Sequence, residues 1–331
     1  MSLHTLHGGP DALGLAAHDF STNSNACGPC PEALAAVQAA DAAHYPDPRY
    51  TALRRALAQW HGVDMGRVLL AGSASEFIYR ITAWAAQRGL RSVWIPQHSY
   101  GDYAAAAQAW RLQAAPHATQ SDLIWACEPS SPLGQTESIL HESLRPDALC
   151  VHDCAYVPLR LEGETEFNSQ AWQLWTPNKA LGLTGVRAAY VIAPAEAAPL
   201  LPSLEALAPS WPIGAHGVAM LQAWLRPSVQ GWLHESLGTL RTWKVRQMAL
   251  CTQLGWQNTP SLANYFCARL PVGASQWPAV LEALRAKGIK LRNAESFGLL
   301  GQVRVAVLPP ASQDALQAAW LSLGLSTEVN V

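Results

Sequence analysis

Trp172-Gln173-Leu174-Trp175-Thr176-Pro177-Asn178-Lys179-Ala180-Leu181-Gly182-Leu183-Thr184-Gly185-Val186-Arg187 sets one lysine in a long apolar stretch, with Thr, Asn and two glycines around it and an arginine eight residues on. Desolvation disfavours the ammonium form of a lysine, and the neutral amine is the nucleophile that forms imines. The same residues also describe a loop lysine beside a turn, because Gly and Thr clusters are ordinary loop chemistry. The rest of the chain decides between the two.

Outward from this stretch, short apolar runs alternate with helical spacing. Residues 68–70, 92–96, 123–127, 149–152 and 188–192 read as strands, and 77–87 and 103–110 as helices between them. Pro31 opens a short helix, and Leu53, Leu57 and Trp60 mark an amphipathic one. Buried strands separated by helices indicate a three-layer αβα domain on a mostly parallel sheet. The pattern turns helical over 211–231, and a long helix through Trp243 and Gln247 leads to a second, smaller α+β unit. There 265–269, 289–292 and 303–307 read as strands, and 277–287 and 312–323 as helices. The expected organisation is an N-terminal arm with part of the small domain over 1–45, a large domain over 46–235 and a small domain over 236–331.

Half of the 331 residues are apolar and only 14% are charged, which fits a compact enzyme and argues against a disordered or coiled-coil chain. A net charge of -2 and a pI near 6.6 give no electrostatic footprint for nucleic acid or an anionic membrane. The opening lacks a signal-peptide pattern and no window reaches spanning length, so a cytoplasmic protein is expected. Seven scattered cysteines speak against a disulfide framework, and the lone Cys27-x-x-Cys30 pair reads as chance cysteines in a Pro/Gly turn.

Four further stretches carry chemistry. Gly72-Ser73-Ala74-Ser75-Glu76 joins a strand to a helix, where free N–H groups and the helix dipole favour an anion such as phosphate; a plain Ser73 or Ser75 cap is the alternative. Glu128-Pro129-Ser130-Ser131-Pro132-Leu133-Gly134 is a turn at a strand's carboxyl end, the edge at which open α/β sheets bind ligands. Asp153 ends an apolar strand, a costly place for a carboxylate without a cationic partner such as a protonated pyridine nitrogen. Alternation in Val303-Arg304-Val305 places Arg304 opposite its valines, suited to bidentate binding of a carboxylate or to an exposed strand edge.

In this order these pieces resemble the fold type I pyridoxal-phosphate enzymes of aminotransferase class I/II. The similarity is strongest to the histidinol-phosphate aminotransferase branch and, within it, to the cobalamin-pathway threonine-phosphate decarboxylases, and it runs from His7 to about Val307. The stretch 178–187 looks like the family's S-K-x-x-G-L-x-G-x-R, which implies Lys179 as the Schiff-base lysine and Thr176 and Arg187 as ligands of the cofactor phosphate. Asp153-Cys154-Ala155-Tyr156 is similar to D-E-A-Y, implying that Asp153 pairs with the ring nitrogen and Tyr156 with the ring hydroxyl. Tyr100 falls where an aromatic stacks on the ring, and Ala74 and Ser75 fall at the phosphate cradle. Tyr45 resembles a tyrosine that reaches the phosphate of a neighbouring subunit, implying a homodimer. Arg304 matches the arginine for the substrate carboxylate and Arg292 one for a substrate phosphate. His7-Gly8-Gly9 with Asp19-Phe20-Ser21-Thr22-Asn23-Ser24-Asn25 looks like the opening of the decarboxylases, with Asn23 toward the substrate.

Three positions depart from the family. Ser131 replaces the asparagine that binds the ring hydroxyl and has a shorter reach, Asn178 stands in place of a phosphate-binding serine, and Ser73 in place of glycine. The resemblance implies an enzyme that binds pyridoxal 5'-phosphate and acts on a small amino acid. Decarboxylation of threonine phosphate is the expected reaction, with amino transfer and non-catalytic cofactor binding as its alternatives.

Overall fold

The computed structural model describes residues 8–142 and 144–325, so His7 of the opening H-G-G lies outside the described residues. Strand β1 (His18–Asp19) belongs to an arm that continues into helices α1 (Pro31–Gln38) and α2 (Thr51–His61). A large sheet follows from β2 (Val68–Ala71), β3 (Ser92–Trp94), β4 (Gln113–Ala114), β5 (Leu123–Cys127), β6 (Leu149–Asp153), β7 (Trp172–Trp175) and β8 (Ala189–Ile192). Helices α3 (Ala74–Gln87) and α4 (Gly101–Ala109) lie between these strands in the chain.

The seven strands are ordered β2-β8-β7-β6-β5-β3-β4. All neighbours pair in parallel except at β8, which is antiparallel to both β2 and β7, so six strands point their carboxyl ends to one edge. Every residue of β2, β5, β6 and β8 is buried, as their unbroken apolar runs require of a sheet covered on both faces. The two-residue period of a strand divides β2 between two cores: Leu69 and Ala71 pack with Phe77, Ile81 and Trp84 of α3, and Val68 and Leu70 pack with Leu53 and Leu57 of α2. This is the expected αβα sandwich.

Helices α5 (Leu201–Glu205), α6 (Ala215–Trp224) and α7 (Pro227–Gln253) come next. The 27-residue α7 gives Val229, Leu233 and Leu240 to the core on the α2 face and Leu250 and Cys251 to a third core. That third core belongs to a four-stranded antiparallel sheet, β12-β13-β10-β9. Its members are β9 (Gln257–Asn258), β10 (Tyr265–Arg269), β12 (Arg292–Asn293) and β13 (Gln302–Ala306), packed with helices α8 (Trp277–Ala286) and α9 (Pro310–Leu321). Strand β11 (Ile289–Lys290) pairs in parallel with β1 of the arm.

Two features differ from the sequence reading. Residues 172–175 form a central strand, although a four-residue run with a glutamine inside it, next to Thr-Pro, carries little strand signal. The strand expected over 289–292 is two pieces, because Ile289 and Lys290 pair with the arm whereas Arg292 pairs with Arg304 of β13.

Candidate active site

The carboxyl ends of β2, β5, β6 and β7 converge on one cavity of about 410 Å³, roofed by the arm and by β12 and β13. At the β2 end, Ser73 caps α3 by accepting from the Glu76 N–H at 3.0 Å, and the Glu76 carboxylate in turn accepts from the Gly72 N–H at 3.1 Å. Ser73 therefore does the capping. Ser75 remains free to meet the Tyr100 hydroxyl at 3.2 Å, and Ala74 and Ser75 face the cavity with first-turn N–H groups that no helix carbonyl can pair.

Thr176 and Asn178, which follow β7, are buried and border the same cavity. Among the described residues Thr176 Oγ1 and Asn178 Oδ1 have no hydrogen-bond partner. Unpaired buried polar atoms are costly, so such a pair beside a helix N-terminus marks a place built for a polar ligand. Arg187 borders the cavity too and makes no ion pair among the described residues. The cation, the helix end and the free Thr176 hydroxyl, all donors, together suit a phosphate.

Asp153 lies at the end of β6, buried, with both oxygens held: Tyr103 donates to Oδ2 at 2.6 Å and the Ala155 N–H to Oδ1 at 3.0 Å. Burial pushes its carboxyl up, against the Tyr103 hydrogen bond and the charge of Lys179, which pull it down. A cationic heterocycle docked against Asp153 would relieve that burial cost. Lys179 is half-buried on the turn after β7, its Nζ 5.2 Å from the centre of the Tyr156 ring. The Tyr156 hydroxyl accepts from Asn23 Nδ2 at 3.4 Å. The arm fixes the lysine turn from outside: the Asn25 N–H donates to the Lys179 carbonyl at 2.9 Å and Asn25 Nδ2 to the Ala180 carbonyl at 3.0 Å.

Across the cavity, Arg304 is buried on an internal strand and not on an exposed edge. Its Nη1 donates to Ser131 Oγ and its Nη2 to the Ser21 carbonyl, each at 3.2 Å. Arg292 donates to Ser296 Oγ at 2.8 Å and lies over the Phe297 ring. Burial and the nearby Arg304 lower its guanidinium to about 10, still cationic at neutral pH.

The structure thus brings every expected site residue to one cavity except Tyr45, which is 78% exposed and stacked on Trp211 at 4.5 Å. Sequence reasoning missed Tyr103, which lies in the first turn of α4 three residues after its N-cap Tyr100 and packs edge-on against that ring at 5.8 Å. It also missed the Ser21 carbonyl and Phe297, whose roles depend on long-range pairing. Among the described residues no cluster of His, Cys, Asp and Glu could hold a metal, and Cys30 of the C-x-x-C is packed in the core.

The family described as "Aminotransferase class I and II" matches residues 10–145 and 147–320. A histidinol-phosphate aminotransferase of Symbiobacterium thermophilum is 29% identical, over 93% of this chain and 92% of its own length. The solved histidinol-phosphate aminotransferase of Sinorhizobium meliloti, in complex with pyridoxal-5'-phosphate, superposes with a TM-score of 0.81 at 20% identity over 97% of each chain. The L-threonine-O-3-phosphate decarboxylase of Porphyromonas gingivalis superposes at 0.69 with 22% identity, covering 89% of this chain and 93% of that one.

Proposed function

Because the chain belongs to the aminotransferase class I and II family and is a pyridoxal-phosphate-dependent enzyme, we propose that it transfers the amino group of a small phosphorylated substrate, in the manner of histidinol-phosphate aminotransferases. The observation that carries this reading is the placement of Lys179 and Asp153 in one cavity with the two cationic side chains Arg292 and Arg304. Bound at this site, pyridoxal phosphate supplies an electron sink for the bond broken at the substrate's Cα.

Each residue then has a task. Thr176, Asn178, Arg187 and the first turn of α3, with Ala74 and Ser75, hold the cofactor phosphate. Asp153, its oxygens fixed by Tyr103 and Ala155, keeps a proton on the ring nitrogen. Tyr100 covers the ring, and Tyr156 hydrogen-bonds its hydroxyl. Lys179 Nζ attaches the cofactor and afterwards moves the proton at Cα. Arg304 orients the carboxylate of 2-oxoglutarate or glutamate, and Arg292 holds the phosphate of the amino donor. Tyr45 completes the phosphate site of the other subunit in a cytoplasmic homodimer.

The test is amino transfer between histidinol phosphate and 2-oxoglutarate; a purified, cofactor-loaded protein that makes no glutamate would overturn the reading. Decarboxylation of threonine phosphate is the second reading, favoured by Asn23 of the D-F-S-x-N opening, whose buried Oδ1 borders the cavity and has no partner among the described residues. Release of CO2 from O-phospho-L-threonine without 2-oxoglutarate would select it. Cofactor retained with turnover on neither substrate would leave a binding protein. Borohydride reduction of the loaded protein followed by peptide mapping is expected to label Lys179, and a label on another lysine would refute the central assignment.

A further inference from the structure

Ser131 follows β5 in the turn at the carboxyl edge of the sheet and is buried, as is Arg304 opposite. The Ser131 hydroxyl oxygen accepts from Arg304 Nη1 at 3.2 Å, which ties the side chain to the arginine. Tyr156, assigned to the ring hydroxyl, has its own support in Asn23 Nδ2 and shows no hydrogen bond to Ser131. Arg304 is otherwise held by the Ser21 carbonyl and by the faces of Tyr265 and Phe297, 5.6 and 5.4 Å from its guanidinium carbon. Aromatic faces let a guanidinium slide in its own plane, and only directional hydrogen bonds fix where its N–H groups point.

We infer that Ser131 is a positioning residue for Arg304 and not a ligand of the cofactor. The turn after β5 acts on the substrate side of the cavity, fixing the angle at which Arg304 presents its N–H groups to a carboxylate. Tyr156, supported by Asn23, serves the ring hydroxyl without Ser131. This rests on the functional reading above.

The experiment uses the cofactor-loaded protein and two ligands that differ by one group: O-phospho-L-threonine and its carboxylate-free counterpart, 1-amino-2-propanol O-phosphate. Dissociation constants come from the change that each ligand makes in the cofactor's absorbance, and the pH titration of the bound cofactor's absorbance is recorded separately. Ser131→Ala is expected to weaken O-phospho-L-threonine by about tenfold, the scale of one hydrogen bond to a charged group. It should leave the carboxylate-free ligand and the titration midpoint unchanged, and Ser131→Thr, which keeps the hydroxyl, should restore binding. Tyr156→Phe should move the midpoint and serves as the positive control.

A Ser131→Ala protein with a moved midpoint and unaltered affinities would make Ser131 a cofactor ligand and overturn the inference. Equal weakening of both ligands would overturn it as general damage to the site. Where the wild type binds L-glutamate and not O-phospho-L-threonine, L-glutamate and 4-aminobutyrate take the places of the two ligands; binding of neither amino acid would overturn the inference, since Arg304 would then present itself to no carboxylate. Failure of the functional reading looks different: the cofactor-loaded protein makes no glutamate from histidinol phosphate and 2-oxoglutarate, a result independent of how Ser131→Ala changes the two affinities.

Discussion

At the scale of single residues, the hydrogen bond from Tyr103 to Asp153 has the most direct consequence. It pulls the Asp153 carboxyl down against the upward push of burial, and the Tyr103 ring is itself fixed by stacking on Trp125 at 4.5 Å with 9° between planes. Tyr103→Phe keeps the stack and removes the hydrogen bond. The Asp153 carboxyl should then titrate higher and pair less well with a ring cation. We expect a loss of about tenfold in kcat and weaker retention of cofactor, both readable by steady-state kinetics and cofactor dialysis. An unchanged kcat would show that Asp153 needs no such support. Asp153 was legible in the sequence because a carboxylate at the end of an apolar strand is anomalous wherever that strand lies. Tyr103 was not, because an aromatic on a helix looks the same whether it fills a core or buttresses a carboxylate; only the packing of α4 against β5 and β6 distinguishes them.

Among elements, the lysine turn and the arm form a matched pair. Gly182 has φ +69°, and a Cβ there would sit 2.9 Å from the Pro29 Cα. Gly185, the other glycine of the motif, has open space around it and a φ that side chains tolerate. Gly182→Ala should therefore destabilise the protein by about 2 kcal/mol or more, combining left-handed backbone strain with a backbone clash. Gly185→Ala should change stability by less than about 0.5 kcal/mol. Urea denaturation of the two variants checks the contrast, and equal effects would mean that the arm does not press on the turn. The motif showed both glycines alike. What separates them is the register of the arm against the turn, set by the Cys30 N–H on the Leu181 carbonyl at 2.8 Å, and no local pattern encodes that.

For the whole molecule, two buried groups set opposite dependences of stability on pH. Burial lowers the His152 imidazole to about 4, with the Glu128 backbone partly opposing it. A group lowered on folding binds protons more readily when unfolded, so its stabilising share is complete above pH 6.5 and disappears as pH falls through about 4; its full span is about 3 kcal/mol. Burial, with repulsion from Glu128, raises Glu137 from 4.5 to about 7. Its share is complete below pH 4.5 and lost as pH rises through 7. In denaturation at pH 4.5 and pH 7.5, His152→Phe should reduce the loss of stability at acid pH, and Glu137→Gln should increase it. Variants that shift the acid loss in the same direction would contradict this account. At this scale the alternation of strands and helices made the αβα sandwich and its sheet legible, whereas the reversed β8 and the divided 289–293 segment were not, since partners distant in sequence decide them. The arm is the extreme case: β1 pairs with Ile289 and Lys290, the Phe20 carbonyl takes the Ala306 N–H, and the Ser21 carbonyl takes Arg304. During synthesis the arm must therefore wait for β11 and β13, far later in the chain, before it finds its partners. A nascent chain with the whole large sheet already folded still has no finished cavity, and competence for catalysis waits for β12 and β13 to emerge.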